Sequence, residues 1–327
     1  MRTGTGINTE QKNILVTGAS GQLGYELTSR LRQRHGGDHV IATDIRENHS
    51  LADSGPFEYL DVLDRKQLED IIEKHDIGEI YHLAAILSAR GEREIEATWK
   101  LNTDGLLNVL NQARIKEIKR IFWPSSIAVF GPDAPREQTP QNTPLNPNTV
   151  YGISKVAGEQ WCAYYHRRFG VDVRSVRYPG LIGYKSEPGG GTTDYAVDML
   201  RTAINGQTFV CPVGRNTRLP MMYMEDAVKA SIAIMEADPN HIRIRTSYNL
   251  ASISFAPHEL ARVIQQYTGF RNVDYAPDER DAIAASWPDS IDDHEAQRDW
   301  GWNPDYDIKE MVQTIHQAVT AADVPDK

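Results

Sequence analysis

The sequence predicts an α/β fold, a doubly wound parallel sheet with a smaller, interleaved C-terminal lobe. Three observations lead to this prediction. Short apolar runs alternate with segments of helical period through the first half of the chain, a glycine-rich turn follows the first apolar run, and the rhythm loosens after Arg177. Alternation of strands and helices is typical of a parallel sheet that is covered by helices on both faces.

The elements of the first half are assigned from their period and length. Predicted strands are short apolar or β-branched runs, and predicted helices repeat apolar residues at helical spacing. The strands are predicted at Ile14–Thr17, Val40–Thr43, Phe57–Leu60, Glu79–Leu83, Arg120–Trp123 and Val171–Val176. The helices are predicted at Gln22–Arg34, Arg65–Lys74, Glu92–Ala113 and Tyr151–Phe169. The stretch Gly131–Asn148 is rich in Pro, Asn and Thr, which predicts a surface loop.

Composition and charge exclude several classes of protein. The chain has 327 residues, of which 40% are hydrophobic, and 35 Lys plus Arg against 45 Asp plus Glu give a net charge of −10. This balance excludes a disordered or collagen-like chain. An acidic total without a block of Lys and Arg argues against a nucleic-acid or anionic-membrane surface. No apolar run reaches the roughly 20 residues that span a bilayer.

Cysteine and histidine usage predicts a cytoplasmic protein without a metal. Cys162 and Cys211 are too few for a disulfide framework, and we interpret them as free thiols in a reducing compartment. The first 13 residues are polar and lack the apolar core of a secretory signal. The ten histidines show no helical spacing of metal ligands.

The turn after the first strand has the pattern of a dinucleotide-phosphate loop. Glycine lets the backbone approach a pyrophosphate, which then sits at the N-terminus of the following helix. Asp44 lies 20 residues after Gly24 and ends the second strand, where a carboxylate accepts hydrogen bonds from an adenosine ribose. The acid favours NAD over NADP because it would repel a 2′-phosphate, so a Rossmann-type NAD site is predicted. The predicted contacts in the turn are Gly18, Gly21, Gln22, Leu23 and Gly24.

Two further segments are predicted to border the cofactor. Asp61 follows the third strand, where its carboxylate would meet an adenine amino group, and a turn- or helix-capping role is the open alternative. Leu83, Ala84 and Ala85 end the fourth strand with small residues, which let a cofactor lie close to the backbone.

Tyr151 and Lys155 form a Y-x-x-x-K motif at the start of a predicted helix. The i, i+4 spacing puts the phenol and the ammonium on one face of that helix. A phenol has a pKa near ~10, and a nearby ammonium and the positive nicotinamide of NAD⁺ would both lower that pKa. Tyr151 is then expected to take a hydroxyl proton while hydride leaves the same carbon. Ser125 and Ser126 end the preceding strand and supply a hydroxyl beside the phenol.

These motifs resemble the extended short-chain dehydrogenases/reductases, the superfamily of nucleotide-sugar epimerases and dehydratases. The resemblance implies that Ser126 takes the catalytic hydroxyl position and that Lys155 also binds the nicotinamide ribose. It also implies cofactor contacts from Asn102 and Tyr178. The resemblance covers nearly the whole chain and rests on Thr17–Gly24, Leu83–Ala85, Asn102, Ser125–Gly131, Tyr151-x-x-x-Lys155, Arg177–Gly183 and Asp299–Pro304.

Two positions depart from the sugar-nucleotide enzymes that the chain resembles. Those enzymes carry Asn at the position of Gly180, and an Arg-Asp pair at the position of Leu219-Pro220, whose arginine pairs with a diphosphate. Arg218 lies one residue away, and this slip would aim its guanidinium differently. A nucleotide sugar is therefore less well supported than the fold alone would suggest.

One subgroup, the short-chain type of L-threonine 3-dehydrogenases, is similar to this chain in further segments. By position, Ser88, Thr192 and Thr193 would hold the amino-acid carboxylate and ammonium. Gly191 would border the same pocket, and Trp287 would close it. A small zwitterion needs a few short hydroxyl and backbone donors. The alternatives are a plain surface loop around residue 191 and a core role for the tryptophan. The similar segments are Ala85–Ala89, Gly189–Ala196, Leu219–Met224 and Ser286–Pro288.

The resemblance implies NAD-dependent oxidation of the 3-hydroxyl of L-threonine to 2-amino-3-oxobutanoate, with Tyr151 as the general base. One alternative is a nucleotide-sugar 4-epimerase or dehydratase, which holds NAD⁺ without net reduction. The other is a dinucleotide-sensing protein without turnover. Residues 1–180 are predicted as the NAD-binding domain, with a return around 219–250. Residues 181–218 and 251–327 are predicted as the substrate lobe.

A homodimer is also predicted. Enzymes of the resembling superfamily usually pair their two long helices, here 92–113 and 151–169, across a four-helix interface. Apolar side chains on these helices would form that interface, unless they face the core of the monomer. The available side chains are Trp99, Leu106, Val109 and Trp161.

Overall fold

The computed structural model describes residues 12–186, 191–270 and 272–322. The strands are β1 (Asn13–Thr17), β2 (Val40–Asp44), β3 (Phe57–Tyr59), β4 (Ile77–His82), β5 (Arg120–Ser126), β6 (Val173–Tyr178), β7 (Gly180–Ile182), β8 (Phe209–Cys211), β9 (Leu219–Tyr223), β10 (Tyr248–Asn249), β11 (Ile253–Phe255) and β12 (Val273–Tyr275). The α-helices are α1 (Gln22–His35), α2 (His49–Asp53), α3 (Arg65–Lys74), α4 (Ser88–Arg93), α5 (Ile95–Trp99), α6 (Gly105–Lys116), α7 (Val150–Phe169), α8 (Tyr195–Ile204), α9 (Met224–Glu236), α10 (Pro257–Thr268), α11 (Glu279–Ala285), α12 (His294–Trp300) and α13 (Ile308–Ala322).

A seven-stranded sheet in the order β10-β6-β5-β4-β1-β2-β3 forms the centre of the molecule. Every neighbouring pair in it is parallel. The strand order reverses between β1 and β4, and ligands of such sheets bind outside the carboxyl ends of the strands at this reversal. The predicted doubly wound parallel sheet is confirmed.

Helices cover both faces of the central sheet, as the side chains of β1 illustrate. Leu15 packs into one apolar cluster together with residues of α3, α6 and α7. Ile14 and Val16 pack into another cluster, with residues of α1 and α9. Successive side chains of a strand point to opposite faces, so a strand that is apolar throughout is covered on both sides.

The single helix predicted at Glu92–Ala113 is wrong. The chain there forms α4, α5 and α6, and a π-helical turn at Lys100–Asp104 joins the last two. The break after α4 lies at Glu94, whose backbone angles of φ −125° and ψ 56° are outside the helical region.

The remaining strands form two small sheets. In the first, β9 pairs in parallel with β7 and antiparallel with β11; in the second, β8 pairs with β12. Within the predicted return around 219–250, residues Leu219–Tyr223 therefore belong to a small sheet, whereas α9 packs on the central sheet and β10 joins its edge. The predicted domain limits otherwise stay a prediction. No helix among the described residues is long and apolar enough to cross a membrane.

Candidate active site

The glycine-rich turn packs directly against the end of β4, at the point where the strand order reverses. Gly18 has φ +71°, and a Cβ at this position would lie 2.6 Å from the backbone nitrogen of Ala84. A Cβ on Gly24 would lie 2.2 Å from the Gly18 carbonyl oxygen. No side chain caps the N-terminus of α1. A side chain would fill this cradle, and the uncapped amides fit a pyrophosphate.

Asp44 is held at the end of β2 by the glycine-rich turn. Its Oδ2 accepts a hydrogen bond of 3.0 Å from Ser20 N, and its Oδ1 accepts one of 2.9 Å from Arg46 N. The Ser20 hydroxyl in turn donates to the Arg46 carbonyl at 2.9 Å. A carboxylate has further acceptor positions, so Asp44 is oriented and still able to accept from a ribose diol. These contacts fit NAD.

Two predicted cofactor contacts have partners within the protein. Asp61 Oδ1 accepts from Leu63 N at 2.9 Å, which is the turn role that the sequence left open. The Tyr178 hydroxyl donates to the Ala227 carbonyl at 2.8 Å and lies 2.6 Å from Ser231 Oγ, and burial raises the pKa of this phenol. The cofactor contacts of Asp61 and Tyr178 stay predictions.

Asn102 has a positioning role that the sequence did not predict. Its Oδ1 accepts from Ile86 N at 2.9 Å, and its Nδ2 donates to Ile86 O at 3.0 Å and to Ser154 Oγ at 3.1 Å. Both amide donors are thereby used, so the side chain fastens the segment after β4 to α7. The π-helical turn that carries Asn102 is of a kind found frequently at functional sites. Its predicted cofactor contact is not tested by these bonds.

The structure brings Ser126, Tyr151 and Lys155 together, as predicted. Ser126 ends β5, its Oγ accepts from Ala128 N at 3.2 Å, and its hydroxyl lies close enough to the Tyr151 phenol to lower the pKa of that phenol. Lys155 Nζ donates to the Pro124 carbonyl at 2.6 Å and lies 5.5 Å from the centre of the Tyr151 ring. Thr149 fixes the first turn of α7, since its Oγ1 accepts from Gly152 N at 3.0 Å. A hydroxyl, a phenol and an amine thus border one point at the sheet edge.

At this site, burial shifts the pKa values more than the neighbouring groups do. Burial raises the pKa of Tyr151 to about 12, against the opposing effect of the Ser126 hydroxyl. It lowers the pKa of Lys155 to about 7. The expected lowering of the phenol pKa by the neighbouring ammonium is therefore not present in the protein alone. An additional positive charge beside the ring would favour the phenolate.

A buried ion pair beneath the site was missed by the sequence analysis. The Glu159 carboxylate is fully buried, accepts from Arg177 Nε at 2.9 Å and Nη2 at 2.8 Å, and accepts from the Ser125 hydroxyl at 2.7 Å. Arg177 stands opposite Ser125 across β5 and β6. The i, i+4 spacing from Lys155 places Glu159 on the same face of α7, but no local pattern indicates Arg177 as its partner.

Two of the predicted substrate residues, Ser88 and Thr192, are in contact with each other. Ser88 Oγ lies 3.1 Å from Thr192 Oγ1, and both side chains are buried. Gly191 N donates to Asp194 Oδ2 at 2.8 Å, so this amide has a partner within its own turn. Residues 187–190, which include most of the predicted glycine run, lie outside the described part of the chain.

Trp287 is buried, with 5% of its surface exposed, and belongs to the same apolar cluster as Tyr151. Its Nε1 is buried and has no hydrogen-bond partner among the described residues. An indole N–H usually finds a partner when it is buried. A core role explains the packing of this ring but not its unpaired donor, which fits a ligand with an acceptor oxygen.

Two contacts close the positions that a nucleotide sugar would need. A Cβ on Gly180 would lie 2.5 Å from both Met221 Sδ and Thr193 Cγ2, so these side chains fill the place of an asparagine. Arg218 Nη2 pairs with the Glu259 carboxylate at 2.7 Å and 2.8 Å, and its Nη1 donates to the Ser254 carbonyl at 2.8 Å. The arginine is therefore engaged away from a diphosphate.

A buried histidine makes stability depend on pH. His82 ends β4, its Nδ1 lies 2.8 Å from Thr17 Oγ1, and burial together with the charge of Lys155 lowers its pKa to about 3. Below a pH of about 6.5, His82 is protonated in the unfolded chain but stays neutral in the folded chain. The free energy of unfolding therefore falls as the pH drops toward about 3. We expect the free energy of unfolding of the wild type to fall by about 2 kcal/mol more than that of His82→Gln when the pH is lowered from about 7.5 to about 5, as measured by urea unfolding. The exposed His241→Gln is the control, and equal losses in all three proteins would contradict the prediction.

Comparison with known proteins places the chain in a family. Residues 14–251 match the NAD dependent epimerase/dehydratase family. An uncharacterised epimerase/dehydratase of Staphylococcus epidermidis is 47% identical over 311 residues, which cover 94% of this chain and 98% of that protein.

Two solved structures are also similar. An L-threonine dehydrogenase from Cupriavidus necator in its holo form has a TM-score of 0.91 and 48% identity, over 94% of this chain and 99% of that one. A monomeric L-threonine 3-dehydrogenase from a metagenome has a TM-score of 0.92 and 46% identity, over 95% and 100%. Among the described residues, no group of three or more His, Cys, Asp and Glu is placed to hold a metal ion. The chain belongs to the NAD dependent epimerase/dehydratase family, and its cofactor is NAD.

Proposed function

We propose that this enzyme oxidises the 3-hydroxyl of L-threonine to 2-amino-3-oxobutanoate. The observation that carries the proposal is the buried contact of 3.1 Å between the Ser88 and Thr192 hydroxyls. Two short, buried hydroxyls in contact with each other suit the polar groups of a small zwitterion. The likeness of the whole chain to two L-threonine dehydrogenases supports the same substrate.

The catalytic trio provides the proton chemistry of this reaction. The glycine-rich turn and Asp44 would hold NAD⁺, which would supply a hydride acceptor and a positive charge. Tyr151 Oη takes the proton of the 3-hydroxyl, and Ser126 Oγ donates a hydrogen bond to the same substrate oxygen as negative charge develops on it. Lys155 is held by the Pro124 carbonyl, so its amine stays beside the phenol. O3 loses a proton, C3 loses a hydride, and a ketone forms.

Recognition of the amino acid falls to short side chains from two parts of the fold. Ser88 begins α4 directly after the segment that Asn102 fastens to α7. Thr192 and Thr193 precede α8, and the Thr193 methyl packs on Gly180. The unpaired indole N–H of Trp287 is a donor for the substrate carboxylate.

A nucleotide-sugar 4-epimerase is the alternative function, and the curated relatives carry the family's epimerase/dehydratase name. An epimerase would need a cation that binds the diphosphate, and space for the sugar nucleotide near Gly180. Arg218 is paired with Glu259, and Met221 and Thr193 occupy that space. An epimerase returns the hydride to its substrate, so it would accumulate no NADH.

Ligand binding tests the proposed substrate without turnover. We expect L-threonine to raise the melting temperature of the protein that is saturated with NADH, because a ligand at 100 times its Kd adds about 2.7 kcal/mol to folded-state stability. D-threonine is the matched ligand control, and Thr192→Val is the variant that should lose the shift. Stabilisation by UDP-galactose and not by L-threonine would contradict the proposal.

We further propose a homodimer that pairs α5 and α7 with their copies. Leu106 and Val109 lie in the core of the monomer, which is the alternative that the sequence left open for them. Trp99 and Trp161 are 43% and 37% exposed, as an interface requires. We expect the wild type to sediment as a dimer and Trp161→Glu as a monomer. A wild-type monomer at all concentrations, as in the similar monomeric enzyme, would contradict this.

We also propose that the protein works in the cytoplasm. Cys162 and Cys211 are both buried free thiols, which is the usual state of cysteines in a reducing compartment.

A further inference from the structure

We propose that Arg136 and Asp289 are positioning residues that hold Trp287 over the amino-acid pocket and thereby set substrate selectivity. This inference rests on the proposed function, because it takes Trp287 as the wall of the threonine site. Neither charged residue belongs to the catalytic trio or to the predicted binding residues.

Arg136 lies on the segment that joins the two catalytic oxygens. This segment leaves β5 after Ser126 and enters α7 just before Tyr151. Its two ends pack on each other, since the Asn146 backbone lies directly against Gly131. Arg136 therefore lies on a segment whose two ends are held together between Ser126 and Tyr151.

The contacts of Arg136 bracket Trp287 on both sides along the chain. Its Nη1 donates to the Ala285 carbonyl at 2.7 Å, two residues before the tryptophan. Its Nε and Nη2 donate to the two carboxylate oxygens of Asp289, two residues after the tryptophan. The Asp289 amide donates back to the Arg136 carbonyl at 2.7 Å. This reciprocal set of bonds fixes the short turn that carries the indole.

We call Arg136, Asp289 and their mutual hydrogen bonds the clamp. Further hydrogen bonds lead from the clamp toward β5. Thr139 N donates to Ser290 O at 3.0 Å, and Asn249 Nδ2 donates to Thr139 O at 3.1 Å. Asn249 Oδ1 accepts from Arg177 Nη1 at 3.0 Å, and Arg177 is paired with Glu159 beneath Ser126. A continuous chain of bonds thus joins the Trp287 turn to β5.

Because the clamp is partly exposed, its effect on the position of Trp287 can be distinguished from an effect on global stability. The Arg136 and Asp289 side chains are 45% and 24% exposed, and ion pairs of this kind contribute little to global stability. Small misplacements in an enzyme site, in contrast, are costly, since about 1 Å can lower a rate 100-fold. Loss of the clamp is therefore expected to change substrate use and leave the fold intact.

Steady-state kinetics of Arg136→Gln and Asp289→Asn test the clamp. We expect kcat/KM for L-threonine to fall about tenfold, mainly through KM, while KM for NAD⁺ changes less than about twofold. The ratio of kcat/KM for L-threonine to kcat/KM for the longer L-3-hydroxynorvaline should decrease, because Trp287 is no longer held in place. Arg34→Gln is the matched control, since Arg34 forms a similarly exposed pair with Glu236. The double variant Arg136→Asp/Asp289→Arg should recover part of the loss.

Acrylamide quenching gives a readout that does not depend on turnover. The contribution of Trp287 is the difference between each protein and its Trp287→Phe counterpart. We expect this contribution to be quenched more strongly in Arg136→Gln than in the wild type or Arg34→Gln. A wild type that is inactive with L-threonine would overturn the proposed function while quenching still tests the clamp. Unchanged quenching, or kinetics of Arg136→Gln equal to those of Arg34→Gln, would overturn the clamp itself.

Discussion

Tyr151→Phe is expected to lower kcat about a thousandfold, because general acid–base groups contribute 100- to 10,000-fold and phenylalanine has no hydroxyl that could take the substrate proton. NADH should bind with a Kd within about twofold of the wild-type value, since the ring stays and only its hydroxyl is removed. The measurements are NADH formation under saturating L-threonine and a fluorescence titration with NADH.

Tyr164→Phe is the matched control for this variant. Tyr164 lies on the same helix, is 43% exposed and stacks edge-on against Trp161, away from Ser126. It should retain kcat. A Tyr151→Phe enzyme that keeps more than about a tenth of the wild-type kcat would contradict the assignment of the base, and a loss of NADH binding would point to damage of the crevice.

Glu159→Ala is expected to lower the free energy of unfolding by about 3–5 kcal/mol, measured by urea denaturation. The reason is that it leaves the Arg177 guanidinium, 4% exposed, buried without its carboxylate. The Ser125 hydroxyl loses its acceptor at the same time. Because Ser125 precedes Ser126, a fall in kcat should accompany the loss of stability.

Two control variants distinguish the effect of breaking the Glu159–Arg177 pair from the general effect of removing a carboxylate. Asp70→Ala breaks the exposed pair with Lys66 and should cost less than about 1 kcal/mol. Glu159→Leu combined with Arg177→Met removes both buried charges and should be clearly more stable than Glu159→Ala. If Glu159→Ala unfolds within about 1 kcal/mol of the wild type, the pair is not the support that we infer.

The layout of the fold was predictable because its signals are local. The strand Ile14–Thr17 is an apolar run that ends in a β-branched threonine, Gly18 and Gly21 form the tight turn that follows, and Gly24 lies in the first turn of α1. The four-residue spacing of Tyr151 and Lys155 is enough to place both side chains on one face of a helix. The helix Tyr151–Phe169 appears as α7, with one more residue at its start.

The features that sequence reasoning missed depend on contacts between distant segments. Asn102, which lies in the π-helical turn, bonds to Ile86, which lies 16 residues earlier. The pairing of Arg218 with Glu259 spans 41 residues, and that of Arg136 with Asp289 spans 153. No local pattern indicates such partners. Burial likewise raises the pKa of Tyr151, against the direction expected from its charged neighbours.

The most direct measurement is the absorbance of reduced nicotinamide after mixing the purified protein with NAD⁺ and L-threonine. UDP-glucose and UDP-galactose are run in parallel, with NADP⁺ as the cofactor control. We predict steady NADH formation with NAD⁺ and L-threonine alone, and none with either sugar nucleotide. Interconversion of the two sugar nucleotides without NADH formation from L-threonine would contradict the proposed function and establish the epimerase alternative.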